Sequence, residues 1–265
     1  MIPLDLREKR ALVTGATRGL GFAMATRLAQ AGAVVGVNGR SPDSVATALR
    51  DLRDAVPDGL FVGVVADLTG EEGAAAAVEQ FPDVDILVNN IGVYQAGDVF
   101  DTPAFVWADH FDANVLTGVR ITRQVLPAMI ARRWGRVVFI ASDAAVAIPI
   151  DMVHYAASKT AVLAAARGFA KAAAGSGVTV NSVIVGPSET DRVKEFVSEV
   201  VGTELPWAEA QAEYMRVHRP LSIIQRLIRP EEVANMVVYL CSELSSATTG
   251  GALRVDGGYV DGILP

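Results

Sequence analysis

The chain has 265 residues, 51% of them hydrophobic and 20% charged, enough to close a large core as one domain or at most two. A net charge of −7 with no basic run argues against nucleic acid or an anionic membrane surface as partner, and no uncharged apolar stretch of about 20 residues exists to span a bilayer. One cysteine, Cys241, excludes an internal disulfide, and three scattered histidines, His110, His154 and His218, argue against metal catalysis, so no metal site is expected. Met1 to Arg10 is charged, so no secretory leader and a cytoplasmic location are expected.

Short apolar runs alternate with longer helical patterns. Ala11–Thr14, Ala33–Asn38, Leu60–Val65, Ile86–Asn89, Arg136–Ala141, Thr179–Val185 and Ala252–Val255 read as strands. They are apolar on both faces and lack period-two alternation, as interior strands of a parallel sheet do. Helices are predicted at Leu20–Ala31, Pro42–Ala55, Glu71–Gln80, Trp107–Arg133, Tyr155–Ala174 and Glu231–Leu244. The βαβ rhythm predicts a single doubly wound α/β domain over residues 1–265, with ligands beyond the carboxyl ends of the strands. From Ser188 to Ser222 the rhythm breaks into helical stretches near Arg192–Val201 and Trp207–Val217, well placed to form a lid; a surface excursion or a subunit contact is the alternative.

After the first strand comes Thr14-Gly15-Ala16-Thr17-Arg18-Gly19-Leu20-Gly21, a glycine-rich turn that feeds a helix. Glycines there let backbone N–H groups approach a pyrophosphate, whose charge suits a helix N-terminus. The second strand ends in Asn38-Gly39-Arg40-Ser41, with no acid for the adenosine ribose hydroxyls of NAD. Arg18 and Arg40 both sit beside predicted helix starts, where a cation is disfavoured unless an anion such as a 2′-phosphate lies between them. That pattern favours NADP(H) over NAD(H). Alternatively both arginines point into water and Ser41 with Pro42 only starts a helix. Asp67, with Leu68 beside it, can accept from an adenine amino group, and the amides of Asn89-Asn90-Ile91-Gly92 can tie strand ends together.

Tyr155 and Lys159, four residues apart on a helix, share one face, so the ammonium can stabilise the phenolate and lower its pKa. Tyr155 thereby becomes a candidate general acid or base, although a two-residue pattern also arises by chance. Substrate-lining candidates are apolar or aromatic on balance: Val93, Tyr94, Ala144, Ile148, Ile150, Met152, Phe196, Trp207 and Met215. Any one of these could equally be ordinary core. Asp143 could select polar or cationic substrates or bond a backbone amide.

Taken together these motifs resemble the short-chain dehydrogenase/reductase family, 3-oxoacyl-carrier-protein reductases in particular, along nearly the whole chain. The turn Thr14–Gly21 matches Thr-Gly-x-x-x-Gly-x-Gly, Asn89–Gly92 matches Asn-Asn-Ala-Gly with Ile91 for alanine, and Tyr155–Lys159 matches Tyr-x-x-x-Lys. Ser142 and Asn114 fall at the spacings of the family's catalytic serine and asparagine, and Arg254–Gly258 resembles its closing strand. The resemblance implies that Tyr155 exchanges a proton with the substrate oxygen and Ser142 steadies that oxygen. It implies that Lys159 binds the nicotinamide ribose, Asn114 holds a relay water, and hydride passes between nicotinamide and substrate carbon. Gly186, Ser188 and Thr190 would hold the nicotinamide amide, although Val185 replaces the family's proline.

A small carbonyl or alcohol substrate and a homotetramer built on the small-residue helix after Tyr155 and on Trp107–Arg133 are further implications. Three other readings compete with a reductase: an NAD-dependent polyol or sugar-acid dehydrogenase, a nucleotide-sugar epimerase or dehydratase, and a non-catalytic dinucleotide sensor. The sensor would need none of Asn114, Ser142, Tyr155 and Lys159. The epimerase would want more chain than Ser188 to Pro265 offers.

Overall fold

Seven strands form one parallel sheet in the order β3-β2-β1-β4-β5-β6-β7. They are β1 (Arg10–Val13), β2 (Val34–Gly39), β3 (Leu60–Val65), β4 (Ile86–Asn89), β5 (Gly135–Ser142), β6 (Val178–Val185) and β7 (Ala252–Val255). This computed structural model describes residues 4–202 and 205–263; Thr203 and Glu204 of the expected insertion, and the extreme ends, lie outside the described residues. Every residue of β5 and β6 is buried, which is why neither shows alternation in sequence.

Helices α1 (Gly19–Gln30), α2 (Pro42–Ala55) and α9 (Pro230–Cys241) cover one face through Met24, Leu28, Leu52, Val233 and Val237. The other face is covered by α3 (Glu71–Gln80), α5 (Thr117–Ala131) and α6 (Val153–Ala172) through Ala77, Ile121, Val125, Met129 and Val162. The doubly wound order expected from the sequence is the one observed. Strand order reverses between β1 and β4, so the crevice for a ligand opens at their carboxyl ends. Among the described residues no helix is long and apolar enough to cross a membrane.

One predicted helix is corrected. Trp107–Arg133 is two helices, α4 (Ala104–Phe111) and α5, joined by a wide π turn over Asp112–Leu116. Apolar periodicity runs through the junction without glycine or proline, so nothing in the sequence marks the break.

The segment after β6 carries α7 (Asp191–Val201) and α8 (Trp207–His218), as expected. These two helices enclose a small core of their own, Val197, Ala210, Tyr214, Met215 and Leu227, apart from the cores that flank the sheet.

Candidate active site

The turn from β1 into α1 needs its glycines for different reasons. Gly15 and Gly19 adopt left-handed backbone, with φ of 60° and 57°. At Gly21 a Cβ would stand 2.3 Å from the Gly15 carbonyl oxygen and 2.7 Å from Asn90 Nδ2. No side chain caps the first turn of α1, so its amides remain free to favour an anion. Asn90 ties β4 to this turn, with Nδ2 donating to the carbonyls of Thr14 (3.0 Å) and Gly15 (3.1 Å) and its N–H to Thr14 Oγ1 (2.9 Å).

Several of the expected cofactor contacts also have partners within the protein. Asn38 is buried; its Nδ2 donates to the carbonyls of Val64 and Ala66 at 3.1 Å, and its Oδ1 accepts from Gly15 N–H at 3.3 Å. It shapes the turn from beneath. Leu68 is buried in the core, which leaves only its backbone available, and Asp67 accepts from Thr69 N–H and Oγ1. Ser41 Oγ accepts from Ser44 N–H at 3.5 Å and caps α2, the simpler of its two readings. Arg18 and Arg40 are both exposed at helix starts. Thr17 lies against the end of β2, its Cγ2 2.6 Å from where a Gly39 Cβ would stand.

At the other end of the crevice, β5 delivers Ser142 and the first turns of α6 deliver Tyr155 and Lys159. The Ser142 hydroxyl is a neighbour of the Tyr155 phenol. Burial pushes the Tyr155 phenol up to about 12, with Asp143 and Tyr94 adding to the rise and Ser142 and Arg219 opposing it. This corrects the expected lowering by Lys159. Its ammonium is directed at the Ile140 carbonyl, 3.1 Å away, and its own pKa falls to about 8 because the amine is buried. Gly92 makes room for it: a Cβ at 92 would stand 3.0 Å from Lys159 Nζ.

Asn114 sits in the π turn and is buried. Its Nδ2 donates to Val93 O (3.0 Å) and Ser158 Oγ (2.8 Å), and its Oδ1 accepts from Val93 N–H (2.7 Å). A continuous α-helix would place residue 114 at another angle about its axis; the wider turn brings its amide to both α6 and the loop after β4.

Tyr94 packs edge-to-face on Tyr155, ring centroids 6.2 Å apart, and carries the Arg192 guanidinium 4.4 Å above its ring. Ala144 is buried next to Ser142. Ile150 is not part of this wall. It is 81% exposed and faces Phe100 across an outer pocket of about 490 Å³. Trp207 belongs to the base of the α7–α8 segment, its indole N–H donating to Glu189 Oε1 at 3.0 Å. Gly186 lies against Asp256 and Ile228, Ser188 Oγ donates to Gly186 O at 3.1 Å, and Thr190 Cγ2 is 3.4 Å from where a Gly19 Cβ would stand. The segment after β6 therefore rests on the glycine-rich turn.

Asp143 settles between its two readings. Its Oδ1 accepts from Ala144 N–H at 2.9 Å and its Oδ2 from Arg219 Nη1 at 3.2 Å, so its charge is already matched. Arg219 and Arg192 are site residues the sequence did not disclose, because their partners lie far away in the chain. His154, packed at 4.5 Å from His110 and 6.0 Å from Trp107, is a buried packing residue.

Residues 15–260 match the family model described as enoyl-(acyl carrier protein) reductase. The chain is 44% identical to the uncharacterized oxidoreductase YvaG of Bacillus subtilis over 97% of this chain and 98% of that one. It is 32% identical to the 3-oxoacyl-[acyl-carrier-protein] reductase of Aquifex aeolicus, over 96% and 98% of the two chains. Among solved structures it is similar to L-sorbose reductase of Gluconobacter frateurii complexed with NADPH and L-sorbose, with a TM-score of 0.91 and 27% identity over 99% of this chain and 100% of that one. The chain belongs to the short-chain dehydrogenase/reductase family. It is an NAD(P)-dependent oxidoreductase acting on a small molecule.

Proposed function

We propose that the protein interconverts a carbonyl and a secondary alcohol with NADP(H), using Tyr155 as general acid and base, on a medium-sized, largely apolar ketone or a 3-oxoacyl-type substrate. The observation that carries this reading is the grouping of the Ser142 hydroxyl, the Tyr155 phenol and the buried Lys159 amine at the carboxyl end of β5. A nicotinamide dinucleotide fits the residues present: Gly15, Gly19 and Gly21 form a cradle that a side chain at 21 would fill, and Gly92 leaves Lys159 room to reach a ribose. Hydride exchange with the substrate carbon is the chemistry this group supplies when bound.

The chain's own residues do the rest. Tyr155 gives its proton to the substrate oxygen in reduction and takes it back in oxidation. Ser142 holds that oxygen. Lys159 holds the ribose hydroxyls and, released from Ile140 O, brings its charge towards the phenol. Asn114 fixes α6 against the loop after β4, leaving one lone pair of its Oδ1 for a relay water. Gly186, Ser188 and Thr190 offer backbone and hydroxyl groups to the nicotinamide amide.

NADP(H) is preferred to NAD(H) because β2 ends without an acid while Arg18 and Arg40, the residues that follow the touching pair Thr17 and Gly39, are both exposed. A second reading, a polyol or sugar-acid substrate, is favoured by the likeness to L-sorbose reductase complexed with NADPH and L-sorbose. The α7–α8 segment serves as a lid on one catalytic domain. A homotetramer would cover Phe105, Phe111 and Leu116, which are exposed along α4 and the π turn that follows it.

The experiment is a panel of ketones, 3-oxoacyl thioesters, polyols and sugar acids followed by nicotinamide absorbance with each cofactor. Turnover of ketones or 3-oxoacyl thioesters with NADPH is expected. Turnover of polyols alone with NAD⁺ selects the second reading, and no turnover of any member rejects both.

A further inference from the structure

Asp143 is 4% exposed, immediately after Ser142, and three donors converge on it. Its Oδ1 accepts from the Ser142 hydroxyl and from Ala144 N–H, each at 2.9 Å, and its Oδ2 accepts from Arg219 Nη1 at 3.2 Å. Three donors suit an ionised carboxylate, which only accepts. A charge so buried is costly unless paired, and Arg219 is the pair. Arg219 lies 76 residues further on, just past α8. Its guanidinium stacks 4.7 Å from the Tyr259 ring and is a neighbour of Tyr214 in the small core between α7 and α8. The base of that segment is thus bonded to the neighbour of Ser142.

A serine hydroxyl has one proton to give. While that proton is given to Asp143, Ser142 Oγ serves as an acceptor, towards Ala144 N–H at 3.2 Å, with the Tyr155 phenol as its neighbour. Loosening Asp143 leaves the Ser142 hydroxyl without a fixed direction, so its lone pairs and proton are no longer held in place for the Tyr155 phenol and a substrate oxygen.

We propose that Asp143 is a positioning residue that sets the direction of the Ser142 hydroxyl, and that Arg219 makes this setting depend on how the α7–α8 segment is seated. The inference rests on the Ser142–Tyr155 reading above. It extends the site from four residues to six and joins the segment that covers the substrate to the proton-transfer apparatus.

The groups facing Asp143 fix the sign of the pH response. Burial pushes its carboxyl above the ordinary value, and the charge of Asp256 adds to this; Arg219, the Ser142 hydroxyl and Ala144 N–H pull it back. Tyr155 faces it from α6 and stays neutral across the working range. Lowering the pH protonates Asp143 and removes both the Arg219 pairing and the charge that orients Ser142. Removing Arg219 would raise the Asp143 pKa further.

Asp143→Asn, Arg219→Met and Arg219→Lys would be compared with wild type as holoenzymes saturated with NADP⁺. Amide hydrogen exchange in α7 and α8 is expected to quicken about tenfold in Asp143→Asn and Arg219→Met, and to stay near wild type in Arg219→Lys. In NADPH-dependent reduction of ethyl acetoacetate, wild-type kcat should fall on the acid side as Asp143 protonates. That limb should vanish in Asp143→Asn, leaving a flat, lower profile, and should move to higher pH in Arg219→Met. Unchanged exchange in both disruptive variants, or a uniform fall in kcat with the wild-type limb retained in Asp143→Asn, overturns the proposal. If wild type does not reduce ethyl acetoacetate, the 3-oxoacyl substrate reading is what fails, and the exchange comparison alone decides the coupling. If Asp143→Asn does not fold, Arg219→Met carries both measurements.

Discussion

Asn114 Nδ2 lies 2.8 Å from Ser158 Oγ, and Ser158 Oγ in turn donates to the Tyr155 carbonyl at 2.6 Å. The π turn therefore grips α6 at the turn that carries both Tyr155 and Lys159. Asn114→Ala would remove three hydrogen bonds and leave Val93 N–H and O without their side-chain partner. The expected cost is about 1–3 kcal/mol of stability together with a fall in kcat. Denaturant unfolding and single-turnover rates would measure the two effects separately.

Gly21→Ala places a methyl group 2.3 Å from Gly15 O. The turn has to open, because that neighbour is backbone and not the end of a flexible side chain. Dinucleotide affinity should fall at least tenfold, with a stability loss of about 1–3 kcal/mol from overpacking. Calorimetric titration with NADP⁺ would report the first and thermal unfolding the second; unimpaired binding would show that the cradle lies elsewhere.

Lys159 titrates at about 8 in the folded chain against 10.5 for an ordinary lysine. Between those two values the unfolded chain binds the extra proton, so stability should rise with pH across this window. Lys159→Met should flatten that rise. Denaturant midpoints taken from pH 7 to about pH 10 in the two proteins give the comparison.

Tyr155→Phe removes the phenol proton and nothing else of size. Turnover should drop by about 10²–10⁴-fold while the dissociation constant for NADP⁺ stays within about twofold. Retained turnover would assign the proton to another group.

Arg40→Asp installs an acid at the end of β2, where a ribose diol would find an acceptor and a 2′-phosphate would meet repulsion. The ratio of kcat/KM for NADPH over NADH is expected to fall by about 10–100-fold, the size of one charged contact exchanged for a repulsion. An unchanged ratio would move the phosphate away from Arg40.

Much of this was readable in the chain because parallel strands buried on both faces have an unambiguous signature. β3 and β4 span the predicted residues, and β2 and β7 differ from prediction by one residue or none at each end. The two helices after β6 were legible as an interruption of the rhythm. What sequence could not convey was who partners whom. Asn38 reads as a strand end facing a ligand, yet its amide is used by Val64, Ala66 and Gly15. Asp143 reads as an anion in a cleft until Arg219 is brought to it from the far side of α8. The α4–α5 junction stayed hidden because a π turn changes the hydrogen-bond ladder without changing the apolar pattern that covers it.

The wide turn at Asp112–Leu116 also makes chain length informative. It holds one residue more than a regular helix would use, and each residue turns an α-helix by about 100°. A relative with a single gap here would keep the fold and every motif, asparagine included, yet aim that amide away from α6. When relatives of this chain are sorted for activity, the count of residues between Phe111 and Thr117 is as telling as their identity.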